Sequence, residues 1–321
     1  MLTPALTDSP VDLPSSSREL LDDTSQMLSS GDVSVADEFA ARLDHIRRAT
    51  SAADWQAFID HRVASHPVRA LFHEDPFTWR AFAKPRGYAG DAELLDLIYA
   101  DAPPNGPVSR LGTQLYDWSV EGTSCRSVRA RRDILAALID RIASERPAPR
   151  ILSVACGHLR EAQRSAAVRD GAISELIALD QDPLSLELVE REQTRFNVKP
   201  VRGSVRRLLV NATSLGTFDL IYSAGLYDYL PAPTARALTH ALFSALRPGG
   251  TLLVANFAPS LPDIGYMEAI MDWRLIYRDE GEVEEFADDI PTDEIASKDM
   301  FRDEPGNVVY LTLRRRERGC T

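Results

Sequence analysis

The apolar positions of this chain follow two periods in succession. From Arg18 to about Ala100 they recur at helical spacing, as Leu20, Leu21 and Met27, then Phe39, Leu43 and Ile46, then Trp55, Phe58 and Ile59. Each set falls on one face of a 3.6-residue helix. Ser51, followed three residues later by Asp54, reads as a helix start. No alternating strand pattern interrupts this stretch, which predicts an all-helical module. The ADAPPNG segment, 100–106, is a turn-rich break. Past Ser124, the residues Leu135, Leu138, Ile139 and Ile142 form one face of a further helix, which the prolines of ERPAPR stop.

From Arg150 onward the period changes. The short continuous apolar runs ILSVA, ELIALD, FDLIYSA and TLLVANF alternate with amphipathic helices, and the helix before the last run carries Leu238, Leu242 and Leu246 and closes at Pro248-Gly249-Gly250. Continuous apolar strands need cover on both faces, so a mostly parallel, doubly wound sheet is predicted. KDMFRDEPGNVVYLTLRR reads as two strands joined around Pro305-Gly306, an antiparallel hairpin. Residues 1–16 are rich in Pro, Ser, Thr and Asp and cannot bury enough apolar area to offset chain ordering. The expected organisation is thus a disordered tail 1–16, a helical cap or lid module 17–122 and an α/β domain 123–321.

Composition narrows the chemistry. The 321 residues carry a formal net charge of -12, which argues against a broad basic surface for phosphates, so nucleic acid is not an expected partner. Cys125, Cys156 and Cys320 are far apart and form no CxxC pair, which suggests neither a disulfide framework nor a zinc site. Carboxylates and histidines show no regular spacing, and no metal is expected. The N-terminus lacks a basic segment followed by an apolar run, and no stretch reaches the roughly 18 apolar residues of a membrane span. A cytoplasmic protein without a membrane span is expected.

A doubly wound sheet binds its ligand beyond the carboxyl ends of the strands. The first strand runs into Ala155-Cys156-Gly157-His158-Leu159, and the second ends in Asp180, 23 residues after Gly157. Small residues admit a ligand close to the backbone, and an acid at this distance is placed to accept ribose hydroxyls.

With these residues in hand, RILSVACGHLREA, ELIALDQDP, FDLIYSAGLYDYL and LRPGGTLLVANF resemble, in order and spacing, the class I S-adenosylmethionine (SAM)-dependent methyltransferases, over about 170 residues from Arg150. The resemblance implies a Rossmann-like core with an antiparallel last strand, SAM as cofactor and a small-molecule acceptor. It also implies that Asp180 holds the ribose and that adenine lies near Ser204 and Val205, with Leu226 opposite. Ala155, Gly157, His158, Gln181, Ser223 and Gly225 complete the expected cofactor site. The family's first loop, an acid followed by GxGxG, is here Ser153, Ala155, Gly157 and Leu159, and a differently shaped loop is expected. KPRGYAGDAELLDLIY, with HLREA and GYMEAIMDWRLIYRD, is similar to bacterial proteins grouped with methyltransferases of fatty-acid methyl ester signalling. On that likeness GYAGD is a lid that presents Tyr88 and Asp91 to the cofactor or acceptor.

A sulfonium is attracted to aromatic faces. Tyr88, Tyr116, Tyr222, Tyr227 and Tyr229 all lie near predicted site loops; Tyr222 is expected to pack, and Tyr88, Tyr227 and Tyr229 are the candidates for the catalytic side. Arg86, Arg131 and Arg132 are candidates for the carboxylate of SAM. Methyl transfer mainly requires alignment, and a carboxylate or hydroxyl oxygen is the expected acceptor atom. Two alternatives stand beside it: a SAM-cleaving cyclase or aminocarboxypropyl transferase that releases methylthioadenosine, and a SAM-binding module without turnover. A homodimer is left open.

Overall fold

The computed structural model describes residues 15–99 and 106–317. The predicted tail, most of the 100–106 break and Cys320 lie outside them. The chain divides into two units that interleave along the sequence.

The first unit comprises residues 15–89, 106–120 and Pro262–Trp273, and every regular element in it is helical: Ser15–Ser29, Val35–Ala49, Ala52–Phe58 running on as a π-turn Ile59–Val63, Pro67–Phe72, Pro76–Ala83, Arg110–Val120 and Ile264–Ala269. The Ser51 hydroxyl accepts from the Asp54 N–H and caps its helix as expected. Phe72 stacks on Phe39 at 5.0 Å and meets the edge of Tyr266 at 5.3 Å. Gly265 lets the Ile264–Ala269 helix press onto Val35–Ala49, since a Cβ there would stand 2.5 Å from the Asp44 nitrogen. Glu268 is buried beside that crossing and takes both Arg47 nitrogens (2.9 and 3.0 Å) and the Trp55 indole N–H (2.6 Å). The GYMEAIMDW stretch thus packs with helices more than 200 residues earlier, a contact with no local sequence signal.

The second unit holds residues 90–99, Glu121–Leu261 and 274–317. Its seven strands are β1 (Arg150–Val154), β2 (Glu175–Asp180), β3 (Val198–Arg202), β4 (Phe218–Ser223), β5 (Leu246–Phe257), β6 (Ile295–Arg302) and β7 (Val308–Arg315), in the order β3-β2-β1-β4-β5-β7-β6. β1 to β5 pair in parallel; β7 is antiparallel to both β5 and β6. One strand of the seven is therefore reversed, as a hairpin inserted next to β5 requires. Central strands β1, β2 and β4 are buried along nearly their whole length, which accounts for their unbroken apolar sequence. β3, at the sheet edge, has a mixed burial pattern and carries Lys199, Pro200 and Arg202; Pro is tolerated there because an edge strand has N–H positions outside the ladder. Leu246 belongs to β5 and not to the preceding helix, which ends at Ser244.

Asp219 locks the lower end of the sheet. It accepts from Arg146 (3.1 Å), the Arg150 N–H (2.9 Å) and Arg247 (2.7 Å), joining the ends of β1, β4 and β5 to the Thr123–Glu145 helix. The opposite, carboxyl ends of the strands are left to loops.

Candidate active site

The chain leaves β1 through a loop with an unusual backbone. Ala155, Gly157 and Leu159 have φ of 54°, 52° and 53°. Only glycine takes this left-handed form freely, so Ala155 and Leu159 hold it at roughly 1–2 kcal/mol each. The expectation of a differently shaped loop is corrected here: loss of two glycines from the pattern has not removed the left-handed turns. Tertiary contacts impose them, since Leu159 is buried and the His158 and Leu159 carbonyls accept from Gln193 Nε2 at 2.9 and 3.1 Å. Strain of this kind is stored where the surroundings over-determine the backbone, typically at functional sites.

Gly157 is required twice over. A Cβ would lie 3.1 Å from the Ala92 Cβ, and the Gly157 N–H donates to Asp180 Oδ2 at 2.8 Å. The other Asp180 oxygen accepts the Asp182 N–H at 2.9 Å. Burial raises the Asp180 carboxyl above the ordinary carboxylate range. Asp182 caps the next helix through the Leu184 N–H and the Ser185 hydroxyl. Ala155, Gln181 and Ser204 are exposed and Gly157, Val205, Gly225 and Leu226 half-exposed, so the ends of β1 to β4 present an accessible rim with an acid and small residues along it.

His158 is buried, with Nδ1 2.8 Å from Asp96 Oδ2. Asp96 also takes the Arg160 guanidinium at 2.7 and 2.5 Å, and Arg160 reaches Glu192 at 2.8 Å. The arginine pulls the Asp96 carboxyl below its usual range against the opposing effect of burial. This network ties the Ala92–Tyr99 helix to the first loop. Glu161, buried and raised by that burial, accepts from the Tyr222 hydroxyl at 2.9 Å, so Tyr222 packs as expected. Cys156 is a packed thiol that burial pushes well above its ordinary pKa.

Several expected site residues have other work. Asp91 is buried, and its Oδ1 accepts the Leu94 N–H at 2.7 Å; it caps the Ala92–Tyr99 helix and does not project outward. Tyr227 is also corrected: it is fully buried, its hydroxyl 2.9 Å from the Thr239 hydroxyl and its ring 5.2 Å from Phe286, in the apolar core under β4 and β5. The fully buried Ser223 donates to the Val154 carbonyl at 3.0 Å and ties β4 to β1. Tyr229, two residues beyond Tyr227, is 39% exposed. Arg86 and Tyr88 are half-buried in the first unit, and Tyr116 is buried there.

Arg131 sits on the Thr123–Glu145 helix and is 7% exposed. Its Nη1 lies 3.5 Å from where a Gly225 Cβ would stand. It bonds to the Tyr99 hydroxyl and feels Tyr310 and Asp228 electrostatically, while Arg132 covers the Tyr99 ring at 4.5 Å. Burial raises Asp228 to about 6, and its Oδ1 accepts the Phe257 N–H at 2.7 Å. Asp96, Asp228, Tyr99 and Tyr310 carried no signal in the sequence, because each acquires its setting only from residues remote along the chain.

Residues 151–250 match the family model described as a methyltransferase domain. No curated protein matches the chain in sequence. A possible exported protein from Bordetella parapertussis has a similar structure, with a TM-score of 0.58 at 16% identity, covering 97% of this chain and 100% of that one. Magnesium protoporphyrin IX methyltransferase from Synechocystis PCC 6803, with bound SAH, gives a TM-score of 0.50 at 15% identity over 74% of this chain and 97% of that one. The fold and rim thus define a Rossmann-like methyltransferase core. By its matched domain the protein is a SAM-dependent methyltransferase. Among the described residues no helix is long and apolar enough to cross a membrane, and no His, Cys, Asp or Glu group could hold a metal.

Proposed function

We propose that the protein methylates an oxygen of a small-molecule acceptor, with the cofactor along the ends of β1 to β4. The observation that supports this most is the Gly157–Asp180 contact beneath a loop of three left-handed residues, which puts a buried carboxylate beside an accessible backbone. Asp180 is the partner for the ribose hydroxyls, Ser204, Val205 and Leu226 flank the adenine, and Ala155 and Gly157 leave room for the methionine portion. SAM supplies a methyl group on a sulfonium: as the acceptor oxygen forms its bond to that carbon, the C–S electron pair returns to sulfur and SAH leaves. The chain's own part is alignment and exclusion of water. Tyr229, exposed after β4, stands on the acceptor side. A carboxylate acceptor is ionised at neutral pH and needs no base.

The test is mass spectrometry of the protein incubated with SAM and a panel of carboxylic acids and alcohols. SAH together with a product heavier by one methylene supports the proposal. Methylthioadenosine in place of SAH would establish the cleaving reaction, and SAM bound but unchanged with every acceptor would establish a binding module.

A further inference from the structure

The Arg131 guanidinium is a buried cation to which no carboxylate among the described residues is ion-paired. A charge withdrawn from water without a paired opposite charge is costly. The two acids near it are committed elsewhere: Asp228 to the Phe257 N–H and Glu161 to the Tyr222 hydroxyl. Burial raises both. Tyr310, on β7, feels Arg131, is fully buried and has a hydroxyl with no partner. Buried hydroxyls are nearly always bonded, so this one is also a donor awaiting an acceptor. Tyr99 completes the set, its hydroxyl on Arg131 and its ring under Arg132.

We infer that Arg131, Tyr99 and Tyr310 form a receptor for the carboxylate of the methyl acceptor. A guanidinium fork matches the two oxygens of a carboxylate, and the phenols add uncharged donors. Position favours the acceptor over the carboxylate of SAM. The acid assigned to the ribose ends β2, whereas the receptor adjoins Gly225 after β4 and Tyr310 on β7, beyond β1 in the strand order. This rests on the methyl-transfer reading of the site and names its substrate class. It also has a consequence for turnover: an acceptor esterified at that carboxylate is neutral, no longer complements the guanidinium and is released.

The test uses the full-length protein saturated with SAH, with hexanoate and benzoate as probes and their amides as controls, read by calorimetry and thermal shift. The acids should bind at least tenfold more tightly than the amides. Arg131→Gln should lose that preference while SAM affinity changes less than about threefold. Tyr310→Phe should weaken acid binding by about three- to tenfold with an unchanged melting temperature, because its hydroxyl has no partner to lose; this keeps the test open if Arg131→Gln does not fold. Equal binding of acid and amide, or no binding of either, overturns the receptor while leaving SAM binding intact. A tenfold or greater loss of SAM affinity in Arg131→Gln would assign the guanidinium to the cofactor and overturn it as well. Failure of the methyl-transfer reading itself would register separately, as absence of SAH in the turnover assay.

Discussion

The Gly157 amide donates to Asp180 Oδ2 across 2.8 Å, joining the loop after β1 to the last residue of β2. A single carboxylate thereby sets the loop and remains the acid available to a ribose. Asp180→Ala is expected to weaken SAM binding by about 1.5–3 kcal/mol, the range for hydrogen bonds to a charged group. Calorimetry on the folded variant measures this, and unchanged affinity would remove Asp180 from the cofactor site.

The strained loop predicts opposite effects at neighbouring positions. Ala155→Gly relieves a left-handed alanine and should stabilise the fold by up to about 1 kcal/mol. Gly157→Ala introduces the same strain, crowds the Ala92 Cβ at 3.1 Å and should destabilise by at least about 1 kcal/mol. Urea unfolding of the two variants decides the matter; a stabilising Gly157→Ala would contradict the described backbone.

Tyr227 and Tyr229 are expected to separate cleanly. Tyr227→Phe loses a hydroxyl bonded to Thr239 inside the core and should cost about 1 kcal/mol of stability with turnover intact. Tyr229→Ala, on the exposed side, should lower turnover more than stability. Steady-state kinetics beside thermal melts would show it, and a loss of activity in Tyr227→Phe at unchanged stability would restore Tyr227 to the site.

Asp75 supplies a pH signature in the helical unit. It accepts from the Phe77 and Thr78 N–H groups and from the Thr78 and Ser119 hydroxyls, and burial nevertheless raises it to about 6. A carboxyl raised on folding binds its proton more tightly in the native state. Its contribution is therefore complete below about pH 4 and is lost as pH rises through 6, by about 3 kcal/mol. The difference in unfolding free energy between wild type and Asp75→Asn isolates this group from other titrations and should change by that amount between pH 4 and 7. A flat difference would place Asp75 at its ordinary value.

The sheet was legible because β1, β2, β4 and β5 are buried on both faces and so read as unbroken apolar runs. β3 was visible only through Ser204 and Val205 just past its end, since an edge strand with Lys199, Pro200 and Arg202 has no such run. Asp180 could be found because its chemistry depends on register along the chain. Tyr227 could not be told from Tyr229, because two tyrosines on one short turn differ only in which of them the core takes. Asp91 was misread for a related reason: Gly-Asp before an apolar stretch is equally the start of a helix, and the Leu94 N–H settles it. The first loop shows the limit of reading glycines as torsions, since Gln193 and the packing of Leu159 hold residues in a conformation their own chemistry disfavours.

The reversed strand also dictates an order of assembly. β7 fills the place between β5 and β6, so the outer edge of β5, along Thr251–Phe257, has no hydrogen-bonding neighbour until the polypeptide has been made through residue 315. During synthesis this long apolar strand is therefore an open edge, the kind of surface that pairs with other chains. Removing residues 308–315 would re-create that nascent state permanently, leaving a protein that aggregates through β5 even though every residue assigned to the cofactor is still present.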